Sequence, residues 1–106
     1  MKYLPETIPI PDDARKDFPG YDRLRIGFEV LEEQSGDSAN LRGHIDFHLI
    51  PDGNSGEKEV RAIRMATWFG HDPGKFAQET LHTVRHELLV KKILYNYQKY
   101  GSNIPR

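Results

Sequence analysis

Apolar and polar residues alternate along three runs in the middle of the chain, at residues 24–32, 41–50 and 59–69. A period of two is typical of a β-strand with one buried face. Turn-forming residues at 34–38 and 51–56 separate the runs, so the strands are expected to follow one another as an antiparallel meander. The third run carries apolar residues on both of its faces, which predicts a central strand or one covered on both sides.

The last third of the chain carries residues that are typical of the start and the end of a helix. Asp72 is suited to the N-cap and Pro73 to the first helical position, where its missing N–H costs no hydrogen bond. Gly101 stands where a glycine would end the helix. The sequence therefore predicts one long helix over residues 72–101, about 40 Å in length and longer than three strands can cover.

The first 20 residues hold four of the seven prolines and read as an extended arm. Apolar residues in the arm indicate that it lies on a surface, either of its own chain or of a partner chain. The fold class we predict is α+β, in a single domain spanning residues 1–106. It consists of the arm (1–20), a three-stranded antiparallel sheet (22–70) and the long C-terminal helix (72–101).

Composition restricts the functional classes. The chain has 106 residues, a formal charge of −1 and no cysteine. The balanced charge gives no general attraction to nucleic acid or to an anionic membrane, and the lack of cysteine excludes thiol catalysis and cysteine-containing zinc sites. Neither a signal-peptide pattern nor a run long enough to cross a bilayer is present, so we expect a cytoplasmic protein without membrane contact.

Three polar residues alternate along the second run: His44, Asp46 and His48. On a strand they share one face at a spacing of about 7 Å, which can suit a metal ion. The helix, however, is expected to cover the opposite, apolar face. These side chains are therefore expected to be solvent-exposed and to pair across the sheet with Arg25, Glu29 or Arg64. We expect no metal and no cofactor, and a metal site at these three residues is the least favoured alternative.

The predicted helix carries more apolar residues than one small sheet can bury, so some of them are expected to contact a partner. We expect that contact along one stripe, made of His82, His86, Leu89, Ile93 and Tyr97. The economical arrangement is a two-fold homodimer through the long helix. A monomer whose own arm covers the stripe is the alternative.

No catalytic motif stands out, since the chain contains no HExxH, no phosphate-binding glycine loop and no nucleophile elbow. The sequence therefore favours a non-enzymatic protein that acts through protein–protein contacts, as an adaptor, inhibitor or assembly factor. An alternative is a nucleic-acid-binding module that uses the basic residues of the exposed sheet face. Those residues are Arg25, Arg42, His44, His48 and Arg64.

Overall fold

Four strands and three helices make up the part of the chain that the structure describes. The computed structural model describes residues 1–31, 41–54, 56–70, 72–85 and 87–101. In chain order the elements are β1 (Lys2–Pro9), α1 (Asp12–Arg15), β2 (Tyr21–Val30), β3 (Leu41–Pro51), β4 (Val60–Gly70), α2 (Pro73–Val84) and α3 (Glu87–Tyr100). The α+β class and the antiparallel sheet predicted from the sequence are confirmed.

The sheet has four strands in the order β1-β2-β3-β4, all antiparallel, so the prediction of three strands was wrong. The additional strand, β1, is formed by the segment expected to be an extended arm. Its prolines, Pro5 and Pro9, are tolerated because β1 is an edge strand and needs hydrogen bonds on one side only. The pairing with β2 also shifts register between Tyr3 and Thr7, around the first proline.

The C-terminal region forms two helices, so the single long helix was also a wrong prediction. The first helix ends at Val84, with Arg85 as its C-cap, and the second begins at Glu87. Burial explains the break. Val84 and Val90 are both buried. In one continuous helix, six residues turn through about 600°, so the two side chains would point in directions about 120° apart. Two separate helices allow both side chains to enter the core.

The predicted ends of the helical region are confirmed. The Asp72 carboxylate accepts a hydrogen bond from the backbone N–H of Lys75 at 3.0 Å, and Pro73 is the first residue of α2. At the other end Gly101 has a φ of 75° and donates its N–H to the carbonyl oxygen of Tyr97 at 2.7 Å. None of the helices in the described ranges is long and apolar enough to cross a membrane.

The helices cover one face of the sheet, here called the inner face, and the core lies between the two layers. Strand residues from β1, β2 and β3 alternate into this core, and α2 and α3 contribute one apolar stripe each. The N-terminal segment is fixed to α3 by stacking of Phe18 on Tyr97, with ring centroids 6.2 Å apart. The main core residues are Leu4, Ile8, Leu24, Ile26, Phe28, Ile45, Phe47, Leu49, Ala77, Leu81, Val84, Val90 and Leu94.

Candidate functional site

The opposite, outer face of the sheet carries the three polar residues of β3, and their expected exposure was wrong. His44 is 9 % exposed, and Asp46 and His48 are 0 % exposed. No helix in the described residues covers them; side chains of the neighbouring strands do. The Tyr3 ring from β1 lies edge-on against the His48 ring, with centroids 5.3 Å apart. Their burial therefore comes from a thin layer of side chains on the outer face itself.

A glycine makes room for part of this layer. Gly27 lies between Tyr3 on β1 and Asp46 on β3 in the strand register. A Cβ atom at position 27 would lie 2.8 Å from Met1 Sδ and 2.9 Å from Tyr3 Cε1. The glycine thus leaves the space over the sheet that Met1 and Tyr3 occupy.

Cross-strand ion pairs fill the outer face, as the sequence predicted. The guanidinium of Arg64 donates from Nε to Asp46 Oδ1 at 2.8 Å and from Nη2 to Oδ2 at 3.1 Å. The hydrogen bonds to Asp46 raise the pKa of Arg64, so this arginine is held in its charged form. His44 Nε2 lies 2.9 Å from Glu29 Oε2. The carboxylates thus neutralise much of the positive charge on this face.

Arg25 belongs to the same layer. Its Nη2 donates to Glu59 Oε2 at 2.7 Å, and its Nε lies 2.5 Å from Glu59 Oε1. The guanidinium carbon also lies 3.8 Å from the centroid of the Tyr3 ring. Arg25 therefore joins β1, β2 and the segment before β4 through one side chain.

Hydrogen bonding is incomplete at some of these buried nitrogens, among them His44 Nε2, and it is poorest at His48. Within the described part of the chain, neither ring nitrogen has a hydrogen-bond partner, and the nearest carboxylate oxygen, Glu59 Oε2, lies 3.8 Å from Nδ1. Burial lowers the pKa of His48, an effect that outweighs the opposing influence of Glu59 and Asp46. The ring is therefore neutral near pH 7.

The structure does not assemble the alternative sites into a chemical centre. Among the described residues, no three His, Asp or Glu side chains are grouped so that they could hold a metal ion. Of the five residues considered for nucleic acid, Arg25 and Arg64 form ion pairs with carboxylates, His44 contacts the Glu29 carboxylate, and His48 is buried. Arg42 is exposed and lies 5.9 Å from the ring centroid of the exposed Trp68.

A groove of about 590 Å³ opens on the inner side, between β4 and the helices α2 and α3. Its floor and walls are largely apolar, and two of the apolar side chains that line it are exposed to solvent, Met65 by 49 % and Leu89 by 38 %. Glu79 and Lys92 stand at its rim as charged groups. The lining residues are Phe47, Ile63, Met65, Phe76, Glu79, Thr80, Thr83, Val84, Leu89, Lys92, Ile93 and Asn96.

The structure does not bring together the residues of the stripe that was expected to contact a partner. Leu89 and Ile93 line the groove. Tyr97 is half-buried against Phe18 of the same chain. His82 is exposed on α2 outside the groove lining, and His86 lies outside the described residues.

Strand β4 forms the wall of the groove and is an edge of the sheet. It pairs with β3 on one side, and no described strand pairs with its other side. The expectation of a central or doubly covered strand was therefore wrong, although the apolar residues on both faces were the correct signal. Ile63 and Met65, the groove residues that the sequence interpretation missed, belong to that two-faced pattern.

Comparison of the chain with known protein families, with curated proteins and with solved structures finds no match.

Proposed function

We propose that this protein is a non-enzymatic binding domain that captures an extended segment of a protein partner along β4. The observation that carries the proposal is the open apolar groove directly beside β4, whose outer edge pairs with no strand of the described residues. An extended segment added to β4 would receive main-chain hydrogen bonds from the strand. Its alternate side chains would point to the inner side of the sheet, where the groove offers them an apolar surface.

The size and lining of the groove support a protein segment as the occupant. Exposed apolar side chains that are contiguous usually mark an interaction surface. Met65 and Leu89 supply such surface from opposite walls, and half-buried Ile63 and Ile93 continue it below. The charged rim groups, Glu79 and Lys92, are of opposite sign, which is typical of the polar rim of a protein interface.

The charge pattern of the outer face favours protein contact over nucleic-acid contact. A surface that binds nucleic acid places positively charged side chains against the phosphates. Here Arg25 and Arg64 already hold carboxylates, at 2.5 to 3.1 Å, so a phosphate would have to compete with a neighbouring acid. A cytoplasmic location is part of the proposal, in keeping with a chain that contains no cysteine.

A peptide-display selection tests the proposal without requiring the partner to be identified first. The purified domain is immobilised at low density, so that copies do not meet, and is offered random linear peptides. We expect the selected peptides to carry apolar residues at alternate positions. Their affinity should fall about tenfold or more in Leu89→Asp, because a charge would stand in the groove.

His82→Asp is the matched control, since it introduces the same charge at an exposed helical position outside the groove lining. It should leave the affinity for the selected peptides unchanged. Equal loss of binding in both variants, or selected peptides without an alternating apolar pattern, would contradict strand capture in the groove.

A further inference from the structure

We infer that the extended segment captured by β4 is β4 of a second copy of this chain, which gives a two-fold dimer with one continuous sheet. The inference rests on the proposed function and names its partner. Antiparallel pairing of a strand with its own copy is symmetric by construction, so it suits the two-fold symmetry of most homodimers.

The two edges of the sheet differ in a way that directs pairing to β4. β1 carries Pro5 and Pro9, which lack a backbone N–H, and its pairing with β2 is irregular between Tyr3 and Thr7. Prolines and irregularities are the features that keep an edge strand from pairing with another chain. β4 has 11 residues and contains neither proline nor lysine. β1 is thus blocked by its prolines, whereas β4 shifts register only near its ends and no described strand pairs with its outer side.

The regular part of β4 limits the registers that a second copy can adopt. Pairing with β3 shifts near both ends of β4, which leaves residues 63–68 as the regular stretch. Side chains of opposite residues in an antiparallel pair point to the same face, so the two-fold axis must pass beside a single residue. An axis at Arg64 would set two arginines directly opposite each other, which is unfavourable.

An axis at Ala66 gives the best chemical match. It places Arg64 opposite Trp68 of the second copy on the outer face. Trp68 is 61 % exposed, and a guanidinium stacks well on an indole ring. The Arg64 side chain is 27 % exposed while it binds Asp46. An axis at Met65 would instead leave Trp68 opposite position 62, outside the regular stretch.

The same axis would also bring the grooves of the two copies next to each other. Met65 would lie opposite Thr67 of the second copy on the inner face, so the exposed Met65 side chains of both copies would be close to the axis. Each groove would then continue into the groove of the other copy under one sheet. The exposed apolar surface of Met65 and Trp68, on opposite faces of β4, is covered by a single pairing event.

Single-cysteine crosslinking tests the register, because the chain contains no cysteine of its own. Cβ atoms of directly opposite residues lie about 4.5–5.5 Å apart, close to the separation that a disulfide needs. Under mild oxidation, Ala66→Cys is expected to form a covalent dimer. Thr67→Cys on the same strand and Lys2→Cys on β1 are expected to stay monomeric, since neither meets its own copy.

Sedimentation velocity and Trp68 fluorescence, measured on the unmodified chain over a dilution series, provide the second readout. We expect dissociation on dilution together with a red shift of the emission, because Trp68 is the only tryptophan and becomes exposed. Crosslinking in Lys2→Cys equal to that in Ala66→Cys, crosslinking only in Met65→Cys, or a strict monomer at high concentration would each overturn the inference. Selected peptides that still bind a strict monomer through the groove would leave the proposed function standing.

Discussion

The Asp46 carboxylate, which has no exposed surface, receives two hydrogen bonds from one guanidinium, that of Arg64 on the neighbouring strand. A fully buried carboxylate is stable only while a partner compensates its charge. This pair therefore ties β4 to β3 near the middle of both strands. The same pair helps to hold β4, the strand proposed to bind the partner, against β3.

We predict that Arg64→Ala lowers the free energy of unfolding by about 2–3 kcal/mol, because it leaves the Asp46 charge buried and unpaired. The value lies below that for fully buried pairs since Arg64 is partly exposed. Chemical denaturation measures it. Arg42→Ala, which removes an exposed arginine, should cost less than about 1 kcal/mol. Recovery of most of the loss in Asp46→Leu/Arg64→Leu would support the explanation, and equal losses for the two alanine variants would refute it.

His48 should make the protein less stable in mild acid. Burial lowers its pKa in the folded state below the ordinary histidine value of 6.5. The unfolded chain therefore binds a proton as the pH falls below about 6.5, whereas the folded chain binds it only at lower pH. The contribution of this group to stability is thus constant above that pH, and it falls between the two pKa values as the pH decreases.

The comparison is with His48→Phe, which keeps a ring of similar shape and does not titrate. The groups around the ring (Glu59, Asp46, Arg25, Arg61 and Tyr3) are the same in both proteins. The difference in unfolding free energy between the two should therefore change from about pH 7 to about pH 5, with the natural protein losing more. Parallel pH profiles would show that His48 is not responsible.

Gly43 is expected to tolerate no side chain. A Cβ atom there would lie 2.0 Å from the Glu29 carbonyl oxygen and 2.4 Å from Phe69 Cε2. The first of these is backbone, which cannot turn away, so Gly43→Ala should cost about 3 kcal/mol or prevent folding. Gly53→Ala, where no atom lies within 4 Å, is the control and should change thermal stability little. Equal melting temperatures for the two variants would contradict the described packing of β2, β3 and β4.

Two leucines of α3 should separate core from binding surface. Leu94 is 2 % exposed and Leu89 is 38 % exposed. Truncation of Leu94 to alanine should cost about 3 kcal/mol, as for a buried leucine, whereas Leu89→Ala should cost less than about 1 kcal/mol. Urea denaturation of both variants makes the comparison. A larger loss at Leu89 would mean that this side chain serves the fold of the monomer instead of a partner.

The strands β2, β3 and β4 could be predicted because a half-buried strand repeats every two residues. The capping residues Asp72 and Gly101 were equally recognisable. β1 was predicted only as an extended arm, because its prolines indicate extended backbone but not what it pairs with, and only the finished sheet shows that Pro5 and Pro9 stand at an edge. The break between Val84 and Glu87 has no glycine or proline; it follows from the directions in which the core requires the apolar side chains to point.

The candidate site was predictable only in part, because local sequence does not show where a strand lies in the sheet. Leu89 and Ile93 were expected at a contact surface and line the groove. The opposite wall, Ile63 and Met65, was visible as a two-faced apolar pattern whose meaning depends on the position of β4 at the sheet edge. Burial of Asp46 depends on side chains from other strands that close over the outer face, and period-two alternation carries no information about them.

Amide hydrogen exchange along β4 tests the central claim most directly. It is measured on the domain at a concentration where it is monomeric, with and without a peptide obtained from the display selection. If a segment adds to the free edge, alternate backbone amides within residues 63–68 should become protected, because only those N–H groups point away from β3. The amides of β1 should be unchanged. Protection confined to α2 and α3, or equal protection at both edges of the sheet, would contradict capture of a segment by β4.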